Sequence, residues 1–388
     1  MPSQLSTALL FGGIAALMTA YGVGRLIAFT HMTALLKVAA TAFVSLAAAS
    51  HFLLLASETD FTPETLGNWV PVTALFVTMG LLFFLLTLVR DIVVGIRALI
   101  RRAKGLPAAG RDLFSLFAAC IVMVLALVFS VIGTWNALSE PYPEEMTVGV
   151  KRLPAELKGL RIVQISDLHA SPLFPRERTE TVVRLVNEAK PDLVLLTGDF
   201  ADGDGERRRF DLEPLAGIKS TYGVFAVTGN HEYISDPSGR AELIGSLGIR
   251  LLTNSAVTLE VKGRRVTVAG ITDPAAARRG LEGPDLGKAL SGASADDLRI
   301  LMAHRPGDAL KNSDPSYGID LQLSGHTHGG QMGLFSGLIA SMNGGFVQGL
   351  YKLGSMTLCV TRGAALWPGL PVRISSWNEI PVITLTSE

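Results

Sequence analysis

Within residues 324–331, SGHTHGGQ, His326 and His328 stand on either side of a single threonine, next to glycines too small to cover their rings. His169, His231 and His304 occupy comparable places, each after a short apolar run, and Asp167, Asp199 and Asn230 mark the same run ends. A lone buried histidine is more often a satisfied core residue than a ligand, but five in equivalent places reverse that expectation. Two carboxylates, one carboxamide and four imidazoles form a mixed oxygen and nitrogen donor set of the kind that holds manganese, iron, zinc or cobalt. Asp167 and Asp199 brought close together repel, which raises one pKa. Two divalent cations reverse that balance and let one carboxylate bridge them. Gly198, Gly229 and Gly325 permit sharp turns at the run ends and leave room for metal and substrate.

Convergence of these residues requires their runs to share a sheet system. RIVQISD, DLVLLTGD, GVFAVTGN, RILMAHRP and DLQLSGH read as buried strands of mostly branched residues bounded by turn formers. Between the first two, residues 177–190 carry apolar side chains at helical spacing, a βαβ rhythm. Residues 249–271 predict antiparallel strands turning at Lys262 and Gly263, and LCVTRG and PVITLT add strands in the tail. The donors then fall at the carboxyl ends of strands, where open α/β sheets build their sites.

The first third has a different character. The chain is 48% hydrophobic and only 18% charged over 388 residues, and four apolar stretches at about 5–24, 38–57, 70–89 and 113–135 hold most of the excess. Each approaches the ~20 residues a helix needs to cross a bilayer core. The predicted organisation is a four-helix transmembrane region over 1–136, a linker over 137–159 and an α/β domain over 160–388. Arg25 and His51, near the ends of their runs, are expected to reach the interface by snorkelling. The N-terminus lacks a basic n-region and a cleavage site, so the first run is expected to remain a span. The connection from Arg90 to Arg111 carries Arg97, Arg101, Arg102 and Lys104, whereas that from Glu58 to Trp69 carries Glu58, Asp60 and Glu64. The basic loop is therefore expected in the cytoplasm and everything after about Asn136 outside it. Cys120 and Cys359 offer no disulfide framework, and zero net charge makes no case for nucleic acid.

Taken in order, DLH, GDF, GNHE, the isolated His304 and GHTHGGQ resemble the signature of the calcineurin-like metallophosphoesterases, from about Leu160 onward. The tail TRGAALWPGLPVRISSWNEIPVITL is similar to that of the membrane-associated bacterial branch, departing from it at Asn378-Glu379-Ile380. The resemblance implies a four-layer αββα sandwich of two mixed sheets. It also implies that Asp167, His169 and His328 bind one divalent metal, that Asn230, His304 and His326 bind a second, and that Asp199 bridges them. Manganese, iron or zinc is expected. His231 is implied to be the catalytic acid rather than a ligand. Asp202 and Glu232 are each read either as the carboxylate that orients its ring or as a solvated loop charge.

The expected function is a membrane-anchored dinuclear-metal phosphohydrolase in the plasma (inner) membrane, its catalytic domain extracytoplasmic. The substrate class is a lipid-linked phosphodiester or pyrophosphate. Soluble phosphodiesters or nucleotides outside the cytoplasm, and a non-catalytic metal-binding scaffold, are the competing readings. Arg362 and Gln331 are candidate substrate contacts, with Arg305 read as a surface ion pair. Met332, Leu334, Phe335, Leu338 and Ile339 form an apolar run that packs in the core or meets lipid.

Overall fold

The computed structural model describes residues 4–28, 32–57, 62–65, 67–107, 113–234 and 237–388. His31, Glu58, Asp60 and Arg111 lie outside the described residues. The chain divides into two compact units: Met1–Trp135 with Gly369–Ile374, and Asn136–Pro368 with Ser375–Glu388.

The helical unit contains α1 (Gln4–Ile27), α2 (Ala34–Ala56), α3 (Val70–Ala103) and most of α4 (Leu113–Leu138). All four are long and apolar enough to cross a membrane. Gly22 lies against the backbone of Phe83 and Gly80 against Thr19, so a Cβ at either glycine would collide across the α1–α3 contact. Such close approach at small residues is how helices associate without a hydrophobic driving force.

Two expectations for this unit change. Residues 90–103, read as a connecting loop or, at GIRALIRRAKG, as a basic amphipathic turn of helix along the headgroups, continue α3 as one helix. Pro71 sits in its first turn and no proline interrupts it, Arg101 and Arg102 complement the dipole of its last turn, and it stops at Gly105 (φ +66°) ahead of Pro107. With 34 residues, α3 is about 50 Å long, well beyond the ~30 Å hydrocarbon core. His51 does not snorkel: it is fully buried, with Nδ1 2.8 Å from Thr73 Oγ1 and Nε2 2.6 Å from the Gly369 carbonyl. Both ring nitrogens have partners, so it is a satisfied interior histidine. Arg25 is half-exposed and pairs with Asp91 of α3 at 2.8 Å.

The second unit holds two six-stranded sheets. Its strands are β1 (Tyr142–Val150), β2 (Arg161–Ile165), β3 (Leu193–Leu196), β4 (Val224–Ala226), β5 (Arg250–Leu251), β6 (Ser255–Val261), β7 (Arg264–Gly270), β8 (Leu298–Met302), β9 (Leu321–Ser324), β10 (Gly349–Leu353), β11 (Met356–Val360) and β12 (Glu379–Ser387). One sheet runs β1-β12-β2-β3-β4-β5 and the other β10-β11-β9-β8-β7-β6, and both are mixed. α5 (Arg176–Glu188) makes the crossover from β2 to the parallel β3, and α6 (Gly205–Leu212) and α7 (Pro237–Ser246) follow β3 and β4.

Strand alternation separates the layers. Ile162, Leu193 and Leu195 face Val268, Ile300 and Leu323 between the sheets, whereas Val163, Val194 and Leu196 face Val182, Val186 and Leu243 of the helices. The outer face of the second sheet packs Leu301 and Leu358 against Leu286 and Ala309 of short helices. Helix, sheet, sheet, helix is the order of layers, as expected from a period of two with both faces apolar. The predicted turn at Lys262 and Gly263 joins β6 to β7, both residues at positive φ.

Residues 137–159, expected as linker, hold ordered structure. β1 pairs in parallel along its whole length with β12, burying Val148 and Val150, and tolerates Pro143 because it is an edge strand. The last carbonyls of α4 within this unit are also occupied. Arg178 donates to the carbonyls of Leu138 and Ser139, and the Asn378 side-chain amide donates to those of Ala137 (3.0 Å) and Ser139 (2.7 Å). Helix ends leave such carbonyls orphaned unless a donor is supplied. Asn378, the departure from the similar tails, supplies one.

Candidate metal centre

β2, β3 and β4 run parallel in one sheet and β8 and β9 in the other, and every predicted donor follows the carboxyl end of one of these strands. The turns are tight. Asp167, His169, Asp199, His326 and His328 all have φ between 45° and 70°. Strain of about 1–3 kcal/mol at such a residue persists only where its surroundings over-determine it. Here they do, because the flanking strands are buried on both faces and each buried Leu or Ile contributes on the order of 2 kcal/mol. Gly229 and Gly325 leave space that a Cβ would take from the Asp199 and Asp167 carboxylates.

Three groups of side chains bring ligand atoms within 4.8 Å of one another: Asp167, His169 and His328; Asp199, His304 and His326; and His169, Asp199 and His231. His169 Nε2 lies 3.9 Å from Asp167 Oδ1 and 3.7 Å from Asp199 Oδ2, and His328 Nε2 lies 3.7 Å from Asp167 Oδ1. His304 Nε2 sits 3.2 Å from Asp199 Oδ2. Asp167, His169, Asp199 and His304 are almost wholly buried.

The remaining polar contacts decide which atoms face inward. Asp202 uses one oxygen for His169 Nδ1 (2.9 Å) and the other for His231 Nδ1 (2.5 Å), and the Thr197 carbonyl takes His304 Nδ1 at 2.7 Å. An acceptor at Nδ1 puts the proton there and leaves the Nε2 lone pair free to bind a cation. His169 Nε2 and Asn230 Oδ1 are buried without any hydrogen-bond partner. Buried polar atoms are rarely left so. A divalent cation would satisfy them, so the donor set fits the metal that its residue types imply.

The electrostatics agree. Burial, the largest influence on Asp167, drives its carboxyl up, and the Asp199 charge adds to the rise. Burial acts on Asp199 in the same direction, but the charges of His304 and His231 outweigh it and hold Asp199 well below the usual carboxylate range. Burial lowers His231, yet Asp199 and Asp202 together push it up to about 9, and Asp199 and Asp167 push His304 up to about 10 in the same way. Protons on imidazoles thus compensate the aspartates in the absence of cations, the charge that divalent ions would supply.

Glu232 does not orient His231. Its carboxylate is buried and accepts from the backbone N–H groups of Gly229 (2.7 Å), Asp199 (2.8 Å) and Phe200 (2.8 Å), clamping the turn after β3 to the turn after β4. Asp202 is the carboxylate on the His231 ring, and its grip on His169 as well has no signature in sequence, since both approaches are non-local. Arg305 pairs with Asp273 at 2.8 Å. The Arg362 guanidinium is held by Glu379 and Glu144, and its stem packs under Gly329 of the GHTHGG turn. Its charge is matched within the fold. Gln331, half-exposed at φ +51°, follows that turn. The tail braces the first donor loop from behind, with the N–H groups of Ala364 and Ala365 bonded to the carbonyls of Ser166 and Asp167, each at 2.9 Å.

The calcineurin-like phosphoesterase model matches residues 160–330, which contain every donor named above. Over 352 residues the chain is 31% identical to an uncharacterized metallophosphoesterase of Campylobacter jejuni, covering 90% of this chain and 89% of that one. The chain belongs to the calcineurin-like phosphoesterase family. The chain is also 34% identical over 252 residues to an uncharacterized metallophosphoesterase of Bacillus subtilis, covering 63% of this chain and 85% of the relative. A Danio rerio transmembrane protein with metallophosphoesterase domain is 36% identical over 271 residues, 68% of this chain and 62% of that protein. The chain therefore spans less than two thirds of that relative's length. Membrane-length helices and a metallophosphoesterase domain occur together here, as the name of the Danio rerio relative also records.

Proposed function

We propose that this chain is a membrane-anchored phosphohydrolase that holds two divalent cations and cleaves a phosphoester bond by direct attack of water. The observation that supports it most is the buried rim itself: His169 Nε2 and Asn230 Oδ1, without partners, share it with two aspartates. Asp167, His169 and His328 would hold one cation, Asn230, His304 and His326 the other, and Asp199 would serve both. Manganese, iron or zinc suits such donors. When bound, the cations lower the pKa of water and neutralise charge on phosphoryl oxygens. The side chains do the rest. Asp202 accepts from His231 Nδ1 and helps keep the ring doubly protonated, so that Nε2–H gives its proton to the leaving oxygen and the ring is left neutral with its remaining proton on Nδ1. Glu232 keeps the loops bearing Asp199 and Asn230 in register. His231, with 15% of its side chain exposed, is one of the members of the cluster open to solvent, together with Asn230, His326 and His328.

The proposed substrate is a lipid-linked phosphodiester or pyrophosphate, because four apolar helices confine the domain to a membrane surface. Two measurements test the proposal. Chelator-treated protein should lose turnover of a generic aryl phosphodiester, and added manganese, iron or zinc should restore it; full turnover without metal refutes the mechanism. For orientation in the plasma (inner) membrane, a reporter fused after Glu388 should be active only outside the cytoplasm and one near Arg102 only inside, as the basic end of α3 requires. The reverse pattern overturns the extracytoplasmic placement.

A further inference from the structure

Immediately after the donor turn the surface loses its charge: no Asp, Glu, Lys, Arg or His occurs between Gln331 and Lys352. The first half of this stretch folds as a short turn, Gly333–Phe335, running into the helix Ser336–Met342. None of its residues is buried. Leu334, Leu338 and Met342, spaced by four, form one ridge and are 70%, 59% and 73% exposed. Single exposed leucines are ordinary on a soluble surface, but a ridge of three within an uncharged stretch of this length is not.

Its position limits what can cover it. Gly330, two residues beyond His328, lies so close to Ser336 that a Cβ would press on the start of the helix, and Gly333 packs against Ser375. Ser375 is bonded to Ile374, the last residue of the segment Gly369–Ile374 that belongs to the helical unit. The ridge is thus tied through Gly330 to the metal turn, and its Gly333 touches Ser375, which follows Gly369–Ile374 in the chain.

We infer that the Leu334–Leu338–Met342 ridge inserts into the bilayer that the chain's own helices span and presents phospholipid headgroups to the His326–His328 turn. This rests on the proposed membrane anchoring and narrows the proposed substrate to a bilayer-resident phospholipid. A short, uncharged, apolar helix next to a donor loop suits shallow insertion at the headgroup and acyl boundary, where burial of its exposed ridge stabilises the contact.

The test uses the full chain in phospholipid vesicles. A polarity-sensitive fluorophore is attached at Leu338→Cys in a Cys120→Ser background, where the remaining thiol, Cys359, is buried. A control carries it at Lys311→Cys, whose side chain is 84% exposed. Lipids bearing a quencher in the acyl chain should quench the first site several-fold more than the second. Equal, weak quenching at both sites overturns the inference. So does protection of position 338 accompanied by cross-links between two copies, which would make the ridge a protein interface. In a second measurement, L334S/L338S/M342S should lower the ratio of vesicle-phospholipid to water-soluble aryl phosphodiester turnover by about tenfold, as loss of apolar burial at three sites implies; an unchanged ratio counts against headgroup presentation. Quenching needs no turnover, so failure of the hydrolase reading and failure of the ridge are seen separately.

Discussion

Asp199→Asn should reduce phosphodiester turnover by about three orders of magnitude, because charge stabilisation worth several kcal/mol is lost at the residue proposed to serve both cations. The substitution is nearly isosteric. Asp199 Oδ1 accepts the His231 N–H at 2.8 Å, a bond that a carboxamide oxygen retains, so the turn should keep its shape. What changes is charge: an amide is a poor bridge between two cations and cannot offset His304 and His231, which face the same carboxylate. Metal analysis of the purified variant should show loss of at least one cation per chain, together with loss of turnover. Wild-type turnover at wild-type metal content would sink the dinuclear reading. Loss of turnover at full metal content would instead restrict Asp199 to the chemical step.

The second large effect is at His231. Replacing it by alanine should lower turnover by about 10²–10⁴-fold, the usual contribution of a positioned proton donor. The loss should be greater with an alkyl leaving group than with an aryl one, because a stable aryloxide leaves with little help from an acid. Its pH dependence follows from the pair with Asp202. An acid acts only while protonated, so turnover falls as pH rises through the His231 pKa. Without metal that value is pushed up to about 9, burial opposing and the charges of Asp199 and Asp202 prevailing. Nearby cations disfavour the proton, so the alkaline limb of the loaded enzyme should lie below 9. Asp202→Asn removes one carboxylate that raises it, and the limb should move further toward neutral. Measured at saturating metal, this shift separates proton control from the grip of Asp202 on His169, which affects metal affinity by about 10–100-fold in comparable arrangements. An unmoved limb would leave Asp202 with a purely structural role.

Much of the centre was legible in sequence for a local reason. A short apolar strand followed within four residues by a donor is encoded locally, and the strands ending at Ile165, Leu196, Ala226, Met302 and Ser324 all follow that rule, with Gly198, Gly229 and Gly325 directly before the donor in three of them. Run length and composition likewise revealed the four apolar helices, since crossing a hydrocarbon layer is a requirement on consecutive residues. Less was legible wherever a partner came from elsewhere. The linker expectation failed at Tyr142–Val150 because an edge strand is defined by the β12 residues it pairs with, and acidic residues among its own do not announce a strand. Snorkelling failed at His51 because Thr73 and Gly369, distant in sequence, supply both ring partners.

By itself the sequence determined the kind of chemistry: Asp, Asn and His in this number and order, bounded by glycine, are donors for hard or borderline divalent metals, and no folding detail alters what those atoms prefer. It also determined that the chain carries membrane-length apolar helices. Tertiary structure alone decided which carboxylate holds His231, why Glu232 serves the backbone instead, that Arg362 is neutralised by Glu379 and Glu144, and that Asn378 caps α4. The reason is reach: residue type and spacing fix what a side chain can do within one turn or strand, but its protonation and its partner depend on atoms that only the packed sheets bring within 3 Å.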